Sequence, residues 1–371
     1  MDSSVDALNS PVSETKEAST FQAGRSMALD VFRGLTILLM LFVNNVMVAD
    51  VSPVIAHGEW SGTIGLADLV FPWFLLAVGV SMSFSWEKFR LRGSLASYVR
   101  RAGKRAVILV LIGMFLDSAV QRQVTIGLGV LQIIGIAFFI AAAFMGTSII
   151  VRGSLAALML VGYAVFLHST PVPNFGAGNF TAEGNAAQMV NDLLTPFGLR
   201  GLPSALPTGA AVLFGSALGT IWAKYDKSRI ASSLGIGACL VAAGAIWSYV
   251  TPALKPIWTP SYICLTVGAG AILLGLLNVL EFAKLGNILS PVRAAGSSPI
   301  FAYVAPILFK VMILQNWSLP GESETLEQSG VAWMQGQFGS DIGPWVYTAT
   351  LIAVWWAVFI WMDWKKIVVK V

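Results

Sequence analysis

Ten apolar runs divide this chain, each close to the roughly 20 residues that a helix needs to cross a hydrocarbon core. They fall near 29–49, 65–85, 104–120, 125–145, 148–168, 205–223, 231–250, 260–282, 297–314 and 343–363, with Asp117 interrupting the end of the third. Between them they leave little sequence from which to build a soluble fold. Hydrophobic residues make up 56% of the chain and charged residues 11%, and the mean hydropathy is +0.75. The sequence therefore predicts an all-α polytopic bundle of about ten transmembrane helices.

Charge placement orients such a bundle. With the N-terminus in the cytoplasm, one side gathers Lys16, Arg25, Arg33, the seven basic residues of 88–105, Arg152, Lys224, Lys227, Arg229, Lys284, Arg293, Lys365, Lys366 and Lys370, which is 19 of 23 Lys and Arg. Arg122, Arg200, Lys255 and Lys310 fall on the other side. The positive-inside rule then puts both termini in the cytoplasm. The net charge of +4 is thereby read as topology, and no nucleic-acid partner is expected. Residues 1–24 are polar, with no basic stretch leading into an apolar core, so 1–26 is expected to be a disordered cytoplasmic tail and not a signal peptide. The membrane domain is taken as 27–371. Cys239 and Cys264 lie within predicted helices, and two cysteines and two histidines without clustering give no metal-ligand spacing. No P-loop or dinucleotide-binding glycine motif is present.

Against this background, ionisable and amide side chains in or beside the spans each need a reason. His57 stands out, because an imidazole exchanges protons near neutrality and the charge count places its loop, Ile55 to Gly62, on the outer side. Asp68 opens the second helix on that same side. It could complement the helix dipole or orient His57, and the sequence leaves both open. Asn44 and Asn45 end the first helix, where a C-terminal cap would account for one of the two amides. Asp30 and Arg33 sit three apart at the opposite surface, a spacing that suits a local ion pair. Gln132 and Tyr303 lie about two turns into their helices and suit interhelical hydrogen bonding. His168 is expected to be interfacial and solvated. The outer stretch 169–204, rich in Pro, Gly and Asn, reads as a long irregular loop that is often functional at this length. The stretch from Lys88 to Arg105, read as a loop, includes Arg100, Arg101, Lys104 and Arg105, and its surplus charge could take phosphate groups.

The ordered block Leu29-Asp30-Val31-Phe32-Arg33-Gly34, Leu41-Phe42-Val43-Asn44, His57-Gly58-Glu59-Trp60-Ser61-Gly62-Thr63 and Ala67-Asp68-Leu69-Val70-Phe71-Pro72-Trp73-Phe74 resembles the heparan-α-glucosaminide N-acetyltransferase family of membrane acyltransferases. Weaker matches continue through Gly129-Val130-Leu131-Gln132, Trp258-Thr259-Pro260-Ser261-Tyr262, and Gly296 with Tyr303. Two positions depart from the family pattern: Ser298 stands where an Asn is frequent, and Ala305-Pro306 where eukaryotic relatives have a polar stretch with a His. The resemblance implies acetyl transfer from cytoplasmic acetyl-CoA to an amino sugar on the far side of the membrane. It makes His57 the general base or acetyl carrier, with Asn44 and Asp68 beside it. Arg33, Arg100, Arg101, Lys104, Arg105 and Gln132 become candidates for holding acetyl-CoA, and Asn45, Trp60 and Tyr303 for holding the sugar. The large N-terminal domain of the eukaryotic enzyme has no counterpart here, which points to a bacterial inner-membrane relative with the His57 loop in the periplasm; a homodimer would suit the family. The rival reading is a sugar permease, since Pro72 and Pro306 could break helices around a site.

Overall fold

The computed structural model describes residues 26–47, 54–283, 288–321 and 323–369. The expected tail lies outside them, apart from Ser26. The chain forms α1 (Met27–Asn45), α2 (Leu66–Phe89), α3 (Leu95–Gln121), α4 (Val130–Ala143), α5 (Ile149–Ser169), α6 (Ala186–Leu194), α7 (Ala205–Lys224), α8 (Arg229–Trp247) and α9 (Pro260–Phe282). It continues through α10 (Ser290–Ala295), α11 (Pro299–Phe309), a π turn over Lys310–Leu314, α12 (Leu326–Phe338) and α13 (Gly343–Trp364). Among the described residues there is no strand, only the isolated bridges Val172–Gly176 and Ser318–Thr325.

Each of the ten apolar runs overlies a helix. Among the described residues, seven helices are long and apolar enough to cross a membrane, namely α1, α2, α5, α7 with the turn before it, α8, α9 and α13. The apolar helices Val130–Ala143 and Pro299–Leu314 are shorter, and α3 is long but carries Arg100, Arg101, Lys104 and Arg105 in its first half.

α7 forms the centre, with almost every face buried, whereas α8 and α13 present most of their surface outward. α2 packs directly against α7, and glycine makes that approach possible: a Cβ at Gly79 would sit 2.2 Å from the Val212 carbonyl oxygen. With lipid on the outside, such close backbone packing supplies the van der Waals contact that holds helices together. Arg152 of α5 is wholly buried and donates to the Ser216 carbonyl, 3.1 Å away, and to Thr220 Oγ1, 2.8 Å away, on α7.

Several expectations are corrected. The basic stretch 88–105 is mostly helix, because Ser94 caps α3 by accepting from the Ser97 amide and the residues after it are good helix formers. The stretch 169–204 is folded against the end of α5 and the turn before α9. It contains α6, capped by Asn185, which accepts from the Gln188 amide. His168 is half-buried, with Nε2 2.8 Å from Thr251 Oγ1 and its ring edge-on to Phe180.

Candidate functional site

The first turn of α2 builds the site. The Leu66 and Ala67 amides donate to the carbonyls of Val54 and Ile55, which stitches the His57 loop to the helix start. Gly58 is required at its position, since a Cβ there would meet the Thr63 carbonyl oxygen at 1.7 Å. Asp68, 1% exposed, uses both oxygens. Oδ2 accepts from the Gly58 amide at 2.8 Å and the Gly65 amide at 3.0 Å, while Oδ1 lies 2.8 Å from His57 Nδ1. The two roles left open for Asp68 are thus divided between its two oxygens. Pro72, inside α2, lacks the amide hydrogen that would bond the Asp68 carbonyl. Tyr262 of α9 replaces it, donating its hydroxyl to that oxygen at 2.5 Å.

A third ionisable group joins them. Lys255 Nζ lies 2.6 Å from His57 Nδ1, 3.5 Å from Nε2 and 3.3 Å from Asp68 Oδ1. Burial pulls its ammonium below the ordinary lysine range, while Asp68 opposes that shift. No local pattern marks this role: Lys255 is a lone cation 198 positions from His57, and only the fold brings them together. The turn that carries it is firmly set. Pro256 restricts its backbone, Thr259 Oγ1 accepts from the Leu254 amide, and Tyr163 donates to the Ile257 carbonyl. Trp60 packs on the same apolar cluster, beside Leu254 and Ile257, and so pins the His57 loop. His57 itself keeps 41% of its side chain exposed.

From Asp68 one stripe of α2 runs to the other end of the bundle. Phe71, Phe74 and Val78 line a cavity of about 480 Å³, bounded on other helices by Arg33, Leu131 and Tyr303. Phe74, Val78, Ser81 and Ser85 line a second space that shares Arg33, Arg105 and Phe138 with the first. Ser85 and Lys88 then line a cleft of about 440 Å³ with Arg92, Tyr98, Arg101 and Arg105. Positions 71, 74, 78, 81 and 85 recur at helical i+3 and i+4 spacing, so one face about 20 Å long lines the spaces that lead to the basic cleft, and Asp68 stands one turn before its first residue.

The remaining candidates divide. Arg33 pairs with Asp30 at 2.5 Å, as its spacing suggested, and also borders the cavity. All four basic residues of α3 are exposed, but Arg101 and Arg105 line the cleft, and Arg100 and Lys104 lie on another face of the helix. Gln132 is buried and donates to Asp117 Oδ2 at 2.7 Å, packed against Gly113 instead of facing the cavity. Asn45 is buried and bonds within α1, to the Leu41 carbonyl at 2.7 Å. Asn44 is exposed at the end of α1, where its carbonyl accepts from Lys310 at 3.2 Å; none of the hydrogen bonds among the described residues joins it to His57.

A helical membrane protein with an acid–histidine–lysine cluster at one end and a basic cleft at the other defines the class. The catalytic-region profile of heparan-alpha-glucosaminide N-acetyltransferase matches residues 25–251, and the chain belongs to that family. Heparan-alpha-glucosaminide N-acetyltransferase of Mus musculus is 34% identical over 139 residues, covering 35% of this chain and 20% of that protein. The Homo sapiens protein of the same name is 34% identical over 128 residues, covering 32% and 18%. The chain thus aligns with about a fifth of the length of these relatives. The matched region holds His57, Asp68 and the whole α2 stripe; Lys255 lies just beyond it.

Proposed function

We propose that this protein moves an acetyl group from acetyl-CoA, bound at the Arg105 end of the α2 stripe, to the amine of an amino sugar at the His57 end. The observation that carries this reading is the face of α2 from Ser85 to Phe71, which lines connected spaces from the basic cleft to within one turn of Asp68. Its basic end suits phosphates, which lysine and arginine recognise by charge and hydrogen bonding. Its apolar middle suits an extended acyl-bearing arm. It ends one helical turn from the carboxylate that orients a histidine half-open to the outside, which suits removal of a proton from an attacking amine. The positive-inside count supports a cytoplasmic cleft and a periplasmic His57 loop in a bacterial inner membrane, with ten crossings once α3, α4 and α11 are included. Asn44 stands at the His57 end of the bundle, where an amide could polarise the thioester carbonyl.

Two routes fit this layout. His57 either takes the amine proton while the sugar nitrogen attacks the thioester, releasing CoA thiol, or carries the acetyl group itself between donor and sugar. Purified protein supplied with labelled acetyl-CoA and a panel of amino sugars should release CoA beyond one equivalent per enzyme only when a sugar is present, with the label recovered as N-acetyl sugar. Absence of sugar-dependent release across the panel overturns the reading. Acid-quenching after acetyl-CoA alone separates the routes, because only the carrier route leaves label on the His57 peptide.

A further inference from the structure

Nδ1 of a neutral imidazole holds either a hydrogen or a lone pair, and two groups compete for that one position here. If Nδ1 carries the hydrogen, it donates to Asp68 Oδ1 at 2.8 Å and leaves Nε2 as the free base. Lys255 Nζ, 2.6 Å from the same nitrogen, cannot then donate to it. If the ammonium donates to Nδ1, the ring hydrogen is on Nε2 and that nitrogen has no lone pair to accept a proton. Lys255 is also 3.3 Å from Asp68 Oδ1, so it has an alternative partner within reach without moving its backbone.

We propose that Lys255 is a positioning residue that governs which nitrogen of His57 is free to accept a proton. Seated on Nδ1, it holds the ring in the Nε2–H form; turned to Asp68 alone, it lets Nδ1–H face the carboxylate and exposes the Nε2 lone pair. The charged groups that meet the ring are Asp68 from α2 and Lys255 from the turn before α9. Tyr262 of α9 reaches the Asp68 carbonyl and not the ring, and Glu59 of the loop is exposed.

The place of Lys255 in turnover rests on the reading of His57 as the base, but its effect on the ring's proton affinity does not. The test therefore reads the ring directly. Modification of His57 by diethylpyrocarbonate, followed across pH by mass spectrometry of its peptide, gives the protonation midpoint without any turnover. Lys255→Met and Lys255→Gln should raise that midpoint by about one pH unit, because Asp68 then favours the imidazolium unopposed. Lys255→Arg, which keeps the charge, should stay near wild type. The His168 midpoint, read in the same digests, should move far less and marks an intact fold; glutamine keeps a polar chain should methionine disturb the turn. An unchanged or lowered His57 midpoint in both neutral variants overturns the proposal, as does an equal rise in Lys255→Arg. If the midpoint rises and the acid limb of kcat/KM does not follow, the control of the ring by Lys255 stands and His57 is not the base.

Discussion

The two ends of the α2 stripe are built on opposite principles. At the Asp68 end a few groups gathered around a buried carboxylate exhaust one another: both carboxylate oxygens are taken, Tyr262 fills the place that Pro72 leaves, and Lys255 and His57 share one oxygen. At the other end Lys88, Arg92, Arg101 and Arg105 surround an open cleft with overlapping charge. Burial makes the contacts of Asp68 and Tyr262 irreplaceable, since an unmet polar group there has no water to turn to, while His57 stays open to solvent. Exposure makes the contacts at the second end interchangeable, because exposed charges act through a screened, summed field. Single substitutions at the His57 end should therefore cost more than single substitutions at the cleft, where neighbouring charges substitute for one another.

The sharpest break in this comparison is His57→Ala. It should lower turnover by roughly 10²–10⁴-fold with folding retained, read as N-acetyl sugar formed per minute beside thermal unfolding in detergent. A rate near wild type would remove the histidine from the chemistry. Val78→Trp comes next, since Val78 lines both spaces midway along the stripe. Blocking the arm there should cost about 100-fold in kcat/KM for acetyl-CoA, the scale expected when a reacting group is displaced from its place. Undiminished kcat/KM would mean that the donor takes another path. Tyr262→Phe leaves the Asp68 carbonyl without its hydroxyl partner in a buried setting. It should cost about 1–3 kcal/mol of stability, measured as a lower unfolding midpoint, with a smaller fall in rate.

How much of this was legible in the sequence differs between the same two ends. The helices were legible because the membrane demands long apolar runs, and all ten runs coincide with helical segments. His57 and Asp68 were legible because they are close in sequence and in a costly place. Lys255 was not, since its role arises from a contact across 198 positions that no local pattern encodes. α6 and α12 were missed because both are short and polar enough to resemble loop, and their caps at Asn185 and Thr325 carry the signal that length does not. In the basic stretch the charges were visible, but their sorting was not. Whether an arginine faces the cleft depends on helical phase, and that required knowing that α3 begins at Leu95 and not near residue 104.

That phase yields the mildest prediction. Arg101 and Arg105 face the cleft four residues apart, while Arg100 and Lys104 turn away. An exposed cation near a phosphate contributes about 1 kcal/mol at most. Arg105→Gln or Arg101→Gln should therefore raise KM for acetyl-CoA by about five-fold at low salt, the two together by more, with the difference shrinking as ionic strength rises. Turnover at saturation should hold, because neither residue approaches the reacting atoms. Arg100→Gln and Lys104→Gln remove the same charge from the same helix and serve as matched controls, with KM expected within about two-fold of wild type. Equal effects at all four positions would mean that the donor senses only the overall field of the helix and does not dock in the cleft. A loss of turnover instead of binding at Arg105 would place the thioester much nearer to this end than the α2 stripe implies.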